Sequence, residues 1–99
     1  MYTSVAINGL VFEWDANKRE KNLARHGLDL LLGAGLFDGR HAISYPSPRN
    51  GEHRVVTIAR INDVTLALVW AERDGAVRLI SLRRTRDAEK RLYNARFCH

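Results

Sequence analysis

Residues 53–84 read HRVVTIARINDVTLALVWAERDGAVRLISLRR, three runs rich in Val, Ile, Leu and Thr parted by Asn62-Asp63 and Asp74-Gly75. Branched side chains suit an extended backbone, and Asn, Asp and Gly accept the positive φ of a two-residue hairpin turn. The spacing predicts strands at Val55 to Ile61, Val64 to Ala71 and Val77 to Arg83 in an antiparallel meander. Two-residue turns pair Ile61 with Val64 and Arg73 with Ala76. Alternation then puts Val56, Ile58, Ala67, Val69, Ile80 and Leu82 on one face and Val55, Leu66, Leu68, Trp70, Val77 and Leu79 on the other. In this register Arg54 and Arg78 share one cross-strand row and Arg60 and Arg84 another, while Arg83 lies on the Trp70 face, where His53 sits beside Glu72. Both faces are apolar at their centres, so each needs a cover. Strand spacing puts the Arg54 and Arg78 backbones ~9.6 Å apart, close enough for both side chains to reach one phosphate. Arginines paired to carboxylates at a sheet edge are the competing reading.

Outward from the meander, Asn8-Gly9 between Val5-Ala6-Ile7 and Leu10-Val11-Phe12 predicts an opening hairpin. Asp15 is a helix cap, Ala16 to His26 reads as helix, and Gly27 is a left-handed stop. The apolar contacts of that helix reduce to Ala16, Leu23 and Ala24, leaving Lys18, Arg19, Lys21, Asn22, Arg25 and His26 for solvent or ligand. Asp29 caps a second expected helix through Leu30 to Phe37, in which Gly33 and Gly35 each cost about 1 kcal/mol of helix preference. A short strand at His41 to Tyr45 and a loop from Pro46 to Gly51 follow. Thr85 is the expected cap of a closing helix, with Asp87 and Glu89 near its positive end and Ala88, Leu92 and Ala95 along its docking face. The predicted fold class is α+β: an antiparallel meander with two N-terminal helices and a C-terminal helix packed on it, in one domain of residues 1–99.

Hydrophobic residues at 45% and charged residues at 27% match globular usage rather than a disordered tail. No apolar run approaches the ~20 residues of a membrane span and no signal-peptide pattern opens the chain, so a soluble cytoplasmic protein is expected. A lone Cys98 leaves neither a disulfide framework nor a cysteine zinc site within one chain. His41, His53 and His99 lack a metal-ligand spacing, so neither metal nor cofactor is expected. The net charge is +5, and residues 1–77 carry nine basic and nine acidic side chains. The whole excess therefore lies in residues 78–99, where Arg78, Arg83, Arg84, Arg86, Lys90, Arg91 and Arg96 face only Asp87 and Glu89. Clustered guanidiniums favour polyanions, either nucleic acid or an acidic protein. No helix-turn-helix pattern supports DNA binding by the chain alone.

Three segments carry a family resemblance: Phe12-Glu13-Trp14-Asp15 with Lys18, Asn22 and Arg25-His26-Gly27; Gly51-Glu52-His53-Arg54; and Glu72-Arg73 with Val77 through Arg84, then Glu89 and Tyr93. In order and spacing the chain resembles the BrnT toxins from about Val11 to Tyr93. It departs from them at Leu28-Asp29-Leu30-Leu31-Leu32, where an aromatic and acidic residues are usual, and at Trp70-Ala71, where a tyrosine is common. The resemblance implies a RelE-like fold and an endoribonuclease that arrests translation. It also implies a BrnA-like ribbon-helix-helix antitoxin, a heterotetramer of two toxins and two antitoxins, and operator DNA contacted only through that complex.

Metal-independent RNA cleavage needs a base for the 2′-hydroxyl, positive charge on the phosphorane and an acid for the departing 5′-oxygen. Arg54, Arg78 and Arg83 are assigned to phosphate, and His26 to acid or base work, since imidazole titrates near ~6.5 in water. Glu72 and Tyr93 are secondary catalytic candidates, and Lys18, Arg25 and Arg84 are RNA contacts. His26 before Gly27 equally suits a helix C-terminus, and Tyr93 a core position in the last helix. Trp14 and Trp70 could stack on bases, but an aromatic in a strand or an apolar entry segment is more often core. The rival function is a non-catalytic basic module that holds an acidic partner or nucleic acid.

Overall fold

Four two-residue turns, Asn8-Gly9, Asn50-Gly51, Asn62-Asp63 and Asp74-Gly75, have positive φ at both residues, the type I′ geometry whose twist matches that of paired strands. Three of them connect strands of the computed structural model, which describes residues 1–97. The strands are β1 (Tyr2–Ile7), β2 (Leu10–Asp15), β3 (Ala42–Pro46), β4 (Val55–Ile61), β5 (Val64–Arg73) and β6 (Ala76–Arg84). The helices are α1 (Ala16–His26) and α2 (Asp87–Phe97), with a 3₁₀ segment at Leu30–Phe37. The readings of Cys98 and His99 fall outside the described residues. No helix among those described is long and apolar enough to cross a membrane.

The meander β4–β5–β6 forms with the expected pairs Ile61 to Val64 and Arg73 to Ala76. The sheet as a whole is mixed and six-stranded, in the order β1-β2-β6-β5-β4-β3. Its parallel step joins β2 to β6 through Phe12 opposite Val77 and Glu13 opposite Arg78. The opening hairpin forms as expected and belongs to the sheet. The expected pair of N-terminal helices is corrected: both segments follow that hairpin, and of the two only Ala16–His26 is an α-helix.

The second helix winds with three residues per turn, and in a 3₁₀ helix residues three apart fall on one face. That puts Leu30, Gly33 and Leu36 together on the buried side, with Ala34 beside them, while Leu32 and Gly35 are exposed. A Cβ on Gly33 would sit 2.6 Å from a Leu68 methyl, so the missing side chain is what lets this segment lie on the sheet.

One extra residue corrects the face assignment. Trp70 pairs with Leu79 but Val69 pairs with Ser81, so Ile80 is bulged out of the β6 ladder and every later side chain changes face. Leu82, fully buried, joins Phe12, Trp14, Leu30, Leu66, Leu68, Val77 and Leu79 in the main core beneath α1 and the 3₁₀ segment. Arg83 moves to the face of Val56 and Val69, and Arg60 and Arg84, opposite Thr65 and Leu66 respectively, no longer share a row. That second face holds a smaller core of Val56, Ile58, Ala67 and Tyr93, with Phe97 packed against it.

Two helix faces also differ from expectation. In α1, Asn22 is buried at 5% exposure while Leu23 is 55% exposed, because the helix bonds to the sheet through a polar side chain. In α2 the buried pair is Glu89 and Tyr93, whereas Ala88, Leu92 and Ala95 face outward, since the rim beneath this helix is cationic. Thr85 does not cap it. The Thr85 hydroxyl donates to the Thr65 carbonyl (3.2 Å), and the Arg86 N–H is taken instead by the Glu89 carboxylate (2.8 Å), the backward reach of a capping-box glutamate.

Candidate functional site

Where α2 stops covering the second face, a groove of roughly 690 Å³ opens. Its floor is Val56, Val69 and Ile80, and its walls include Tyr45 of β3, Pro48 and Ser81. Around them stand Arg25 and His26 from the end of α1, Arg49 and Arg54 from the loop before β4, Arg83 of β6, and Arg86. An apolar floor under a cationic border suits a nucleotide, whose base is flat and apolar on its faces and whose phosphate is anionic.

His26 is held there by its backbone. Gly27 takes φ 69° and its N–H donates to the Leu23 carbonyl (2.9 Å), closing α1. Arg84, placed by the bulge beside α1, donates to the His26 carbonyl (3.0 Å). A cation on the last carbonyls of a helix is favourable in its dipole, so Arg84 acts here on backbone.

Arg54 enters through a tight turn. Arg49 and Glu52 exchange backbone hydrogen bonds of 3.0 and 2.9 Å around Asn50-Gly51, and Glu52 accepts from Arg54 Nε. The two terminal nitrogens of Arg54 have no partner among the described residues, so its fork is oriented and unspent. The same contact holds the Glu52 carboxyl below its usual range, Arg54 being the main cause.

Arg83 is engaged more fully. It donates to both oxygens of Glu89, at 2.7 and 2.9 Å, and the Tyr45 hydroxyl donates to the same carboxylate. With the Arg86 N–H added, Glu89 accepts four hydrogen bonds, which lower its pKa from 4.5 to about 2 chiefly through Arg83. Burial, together with this hydrogen bond, raises the Tyr45 phenol above its ordinary value. Glu89 thus ties β3, β6 and α2 together at the groove wall.

Arg25, Arg49 and Arg86 are exposed, and among the described residues their guanidiniums make no hydrogen bond or ion pair. They are the freest cations of the groove. Lys18 lies nearby, in a shallower cleft of about 180 Å³ that shares Arg25, His26, Ile80 and Ser81 with the groove.

The fold does not bring every candidate here. Arg78 is not on the groove and does not converge with Arg54. It donates to Glu13 (3.1 Å) and lies 4.1 Å over the Tyr2 ring, because the parallel β2–β6 pair sets Glu13 opposite it. Glu72 is exposed and opposite Val77, on the Trp70 face of the sheet. Tyr93 is 5% exposed and its hydroxyl donates to the His41 carbonyl (3.2 Å), a core position. Trp14 is buried, and Trp70 bonds Thr57 Oγ1 (2.8 Å) and meets Phe37 edge-on. Sequence reasoning missed Arg49, Arg86, Tyr45 and the hub role of Glu89. Asn50-Gly51 was a readable turn signal for Arg49, whereas Tyr45 and Arg86 meet only through the tertiary fold.

A family model described as the ribonuclease toxin BrnT of type II toxin-antitoxin systems matches residues 14–89. No curated protein matches the chain. The match takes in the groove from Arg25 to Arg86 and the Glu89 hub, and on it the chain belongs to the BrnT family of ribonuclease toxins.

Proposed function

We propose that this chain is a metal-independent endoribonuclease acting as a single RelE-like toxin domain in the cytoplasm, where cutting RNA arrests translation. The observation that supports this most is the meeting of an imidazole, an oriented Arg54 fork and free cations around an apolar floor in one groove. In the proposed step the 2′-oxygen attacks phosphorus as its proton leaves to a base, and the bond to the 5′-oxygen breaks as that oxygen is protonated. The products are a 2′,3′-cyclic phosphate and a 5′-hydroxyl. His26 is the acid or base. Arg54 and Arg83 carry the negative charge that builds on the phosphoryl oxygens, Arg25 with Lys18 binds the flanking backbone, and Arg84 positions His26. Arg78, Glu72 and Tyr93 have no step in this scheme.

The partner of this reading is a BrnA-like ribbon-helix-helix antitoxin in a two-plus-two heterotetramer that alone contacts operator DNA. An acidic segment of it laid in the groove would exclude RNA.

The test is cleavage of a defined RNA by purified protein in chelator, with His26→Ala and Arg54→Ala beside the wild type. Loss of at least ~10²-fold in kcat/KM for each, with RNA still bound by His26→Ala, is the expected result. The bidentate hold of Glu89 on Arg83 favours the rival, a binding module without catalysis. Wild-type protein that binds RNA and cuts none, on ribosomes or in solution, would establish the rival.

A further inference from the structure

Helix α1 breaks the local rules of helix electrostatics in one stripe. Its first turn contains no acidic residue and instead carries Lys18, whose charge opposes the positive end of the helix dipole. Lys21 follows at three residues and Arg25 at four more, spacings that stack like charges on one face and cost helix stability. Lys18 helps to hold the Asp15 and Glu52 carboxyls below their ordinary values by charge at a distance, but among the described residues none of the three side chains makes a close ion pair or a hydrogen bond. The ion pair that this helix does make among the described residues, Arg19 with Asp29 (2.8 Å), shows that α1 pairs its charges where a partner serves the fold.

All three cations line the shallower cleft, which runs into the main groove through Arg25, His26, Ile80 and Ser81. From Lys18 to Arg25 the stripe covers about 10 Å along the helix axis, longer than one nucleotide step of an extended strand. Local arrangements that destabilise a free protein are expected at functional sites, where a ligand relieves them.

We infer that Lys18, Lys21 and Arg25 form a phosphate track that holds nucleotides flanking the one seated in the groove, so that the ligand is a single RNA strand several nucleotides long. This rests on the ribonucleolytic reading of the groove and adds Lys21, which that reading does not use. A duplex is disfavoured, because its bases stay stacked inside while the track leads onto an apolar floor.

The experiment measures binding of a fluorescent 2′-O-methyl RNA 12-mer, which cannot be cleaved, to the full chain as a function of salt. Each lost phosphate contact on a single strand lowers the log–log salt slope by about 0.7, so Lys21→Ala should lower it by that amount and Lys18→Ala/Lys21→Ala by about 1.4. Arg91→Ala, exposed on α2 and off both clefts, should leave the slope unchanged. A dinucleotide of the same chemistry should bind at least tenfold more weakly than the 12-mer and with equal affinity to wild type and Lys21→Ala. Removing a repelling charge should leave the Tm of Lys21→Ala equal to or above that of the wild type, which a structural lysine would not do. An unchanged slope in both lysine variants, an equal loss in Arg91→Ala, or tighter binding of a duplex 12-mer would overturn the track. Cleavage is not read, so a chain that binds this way without cutting would refute the nuclease reading and leave the track standing.

Discussion

Asn22 bonds Leu82 as a neighbouring strand would. Its Oδ1 accepts from the Leu82 N–H and its Nδ2 donates to the Leu82 carbonyl, both at 2.9 Å, and Nδ2 also donates to the Leu28 carbonyl. Strand β2 pairs with β6 only at Val77 and Arg78, so farther along β6 a helix side chain takes the place of the missing strand.

Asn22→Ala therefore leaves three backbone groups without their partner, in a place where the amide itself is 5% exposed. Unpaired buried donors and acceptors cost about 1–3 kcal/mol each, partly relieved by relaxation. The expected loss is on the order of 2–4 kcal/mol, read as a lower urea midpoint at unchanged m-value. A midpoint shift worth less than about 0.5 kcal/mol would mean that α1 is held by other contacts.

Arg78 is expected to matter for folding rather than for RNA. It and Glu13 are 18% and 17% exposed at the side chain, and Arg78 Nε is buried without a hydrogen-bond partner among the described residues, which reduces what the pair contributes. Arg78→Ala leaves the largely enclosed Glu13 without its cation and removes the stack on Tyr2, so a loss of roughly 1–3 kcal/mol in urea unfolding should follow. RNA affinity of the folded variant should stay within about twofold, less than any lost phosphate contact. Stable protein that has lost RNA cleavage would return Arg78 to the phosphate role assigned to it from the sequence.

The two glycines of the 3₁₀ segment should respond oppositely. Gly33→Ala drives a Cβ against Leu68, which is fully buried and has its Cγ 3.3 Å away as well. Overpacking of this kind costs about 1–3 kcal/mol. A Cβ on Gly35 meets nothing within 4 Å, so Gly35→Ala should be neutral or stabilise by up to ~1 kcal/mol through the unfolded chain. Thermal melts of the two variants side by side decide this. Equal effects would remove the steric account of why Leu30–Phe37 lies so close to the sheet.

These positions also show what the sequence could convey. Turn dipeptides and hydrophobic alternation are local, so the hairpins, the α1 boundaries at Asp15 and Gly27, and the pairs Ile61–Val64 and Arg73–Ala76 were legible. The bulge at Ile80 was not, because nothing in Val77-Arg78-Leu79-Ile80-Ser81-Leu82 marks which residue leaves the ladder. That one residue moves Arg83 onto the face of Val56, and with it the Glu89 hub at the groove wall. Burial of Asn22 and Glu89 was equally hidden. Asn22 is buried by a partner 60 residues away, Leu82, and Glu89 by Tyr45 of β3 and by an Arg83 whose face depends on the bulge, whereas polarity alone reads as exposure. Arg78 was misplaced because the β2–β6 pairing that sets Glu13 opposite it is non-local. His26, Arg25 and Arg54 share the groove although α1 and β4 are far apart in the chain, a proximity suggested only by their joint presence in a family pattern.

Glu89 should make the chain acid-sensitive in a defined window. Its folded pKa of about 2 lies below its ordinary 4.5, with Arg83 as the largest cause. A carboxylate with a depressed folded pKa stabilises above its unfolded value, and that stabilisation disappears as pH falls through the folded one. The contribution is present in full above about pH 4.5, is worth on the order of 3 kcal/mol there, and is gone near pH 2. Asp38, held to about 2 mainly by Arg40, titrates over the same range, so the wild type alone cannot isolate Glu89. The comparison that does is wild type against Glu89→Gln, in which Asp38 is common to both. Their difference in urea midpoint should be largest at neutral pH and shrink steadily between about pH 4.5 and pH 2. A constant difference would mean that Glu89 stabilises by shape and neutral hydrogen bonding, and that Arg83 has enough freedom to meet a phosphate without first leaving a carboxylate.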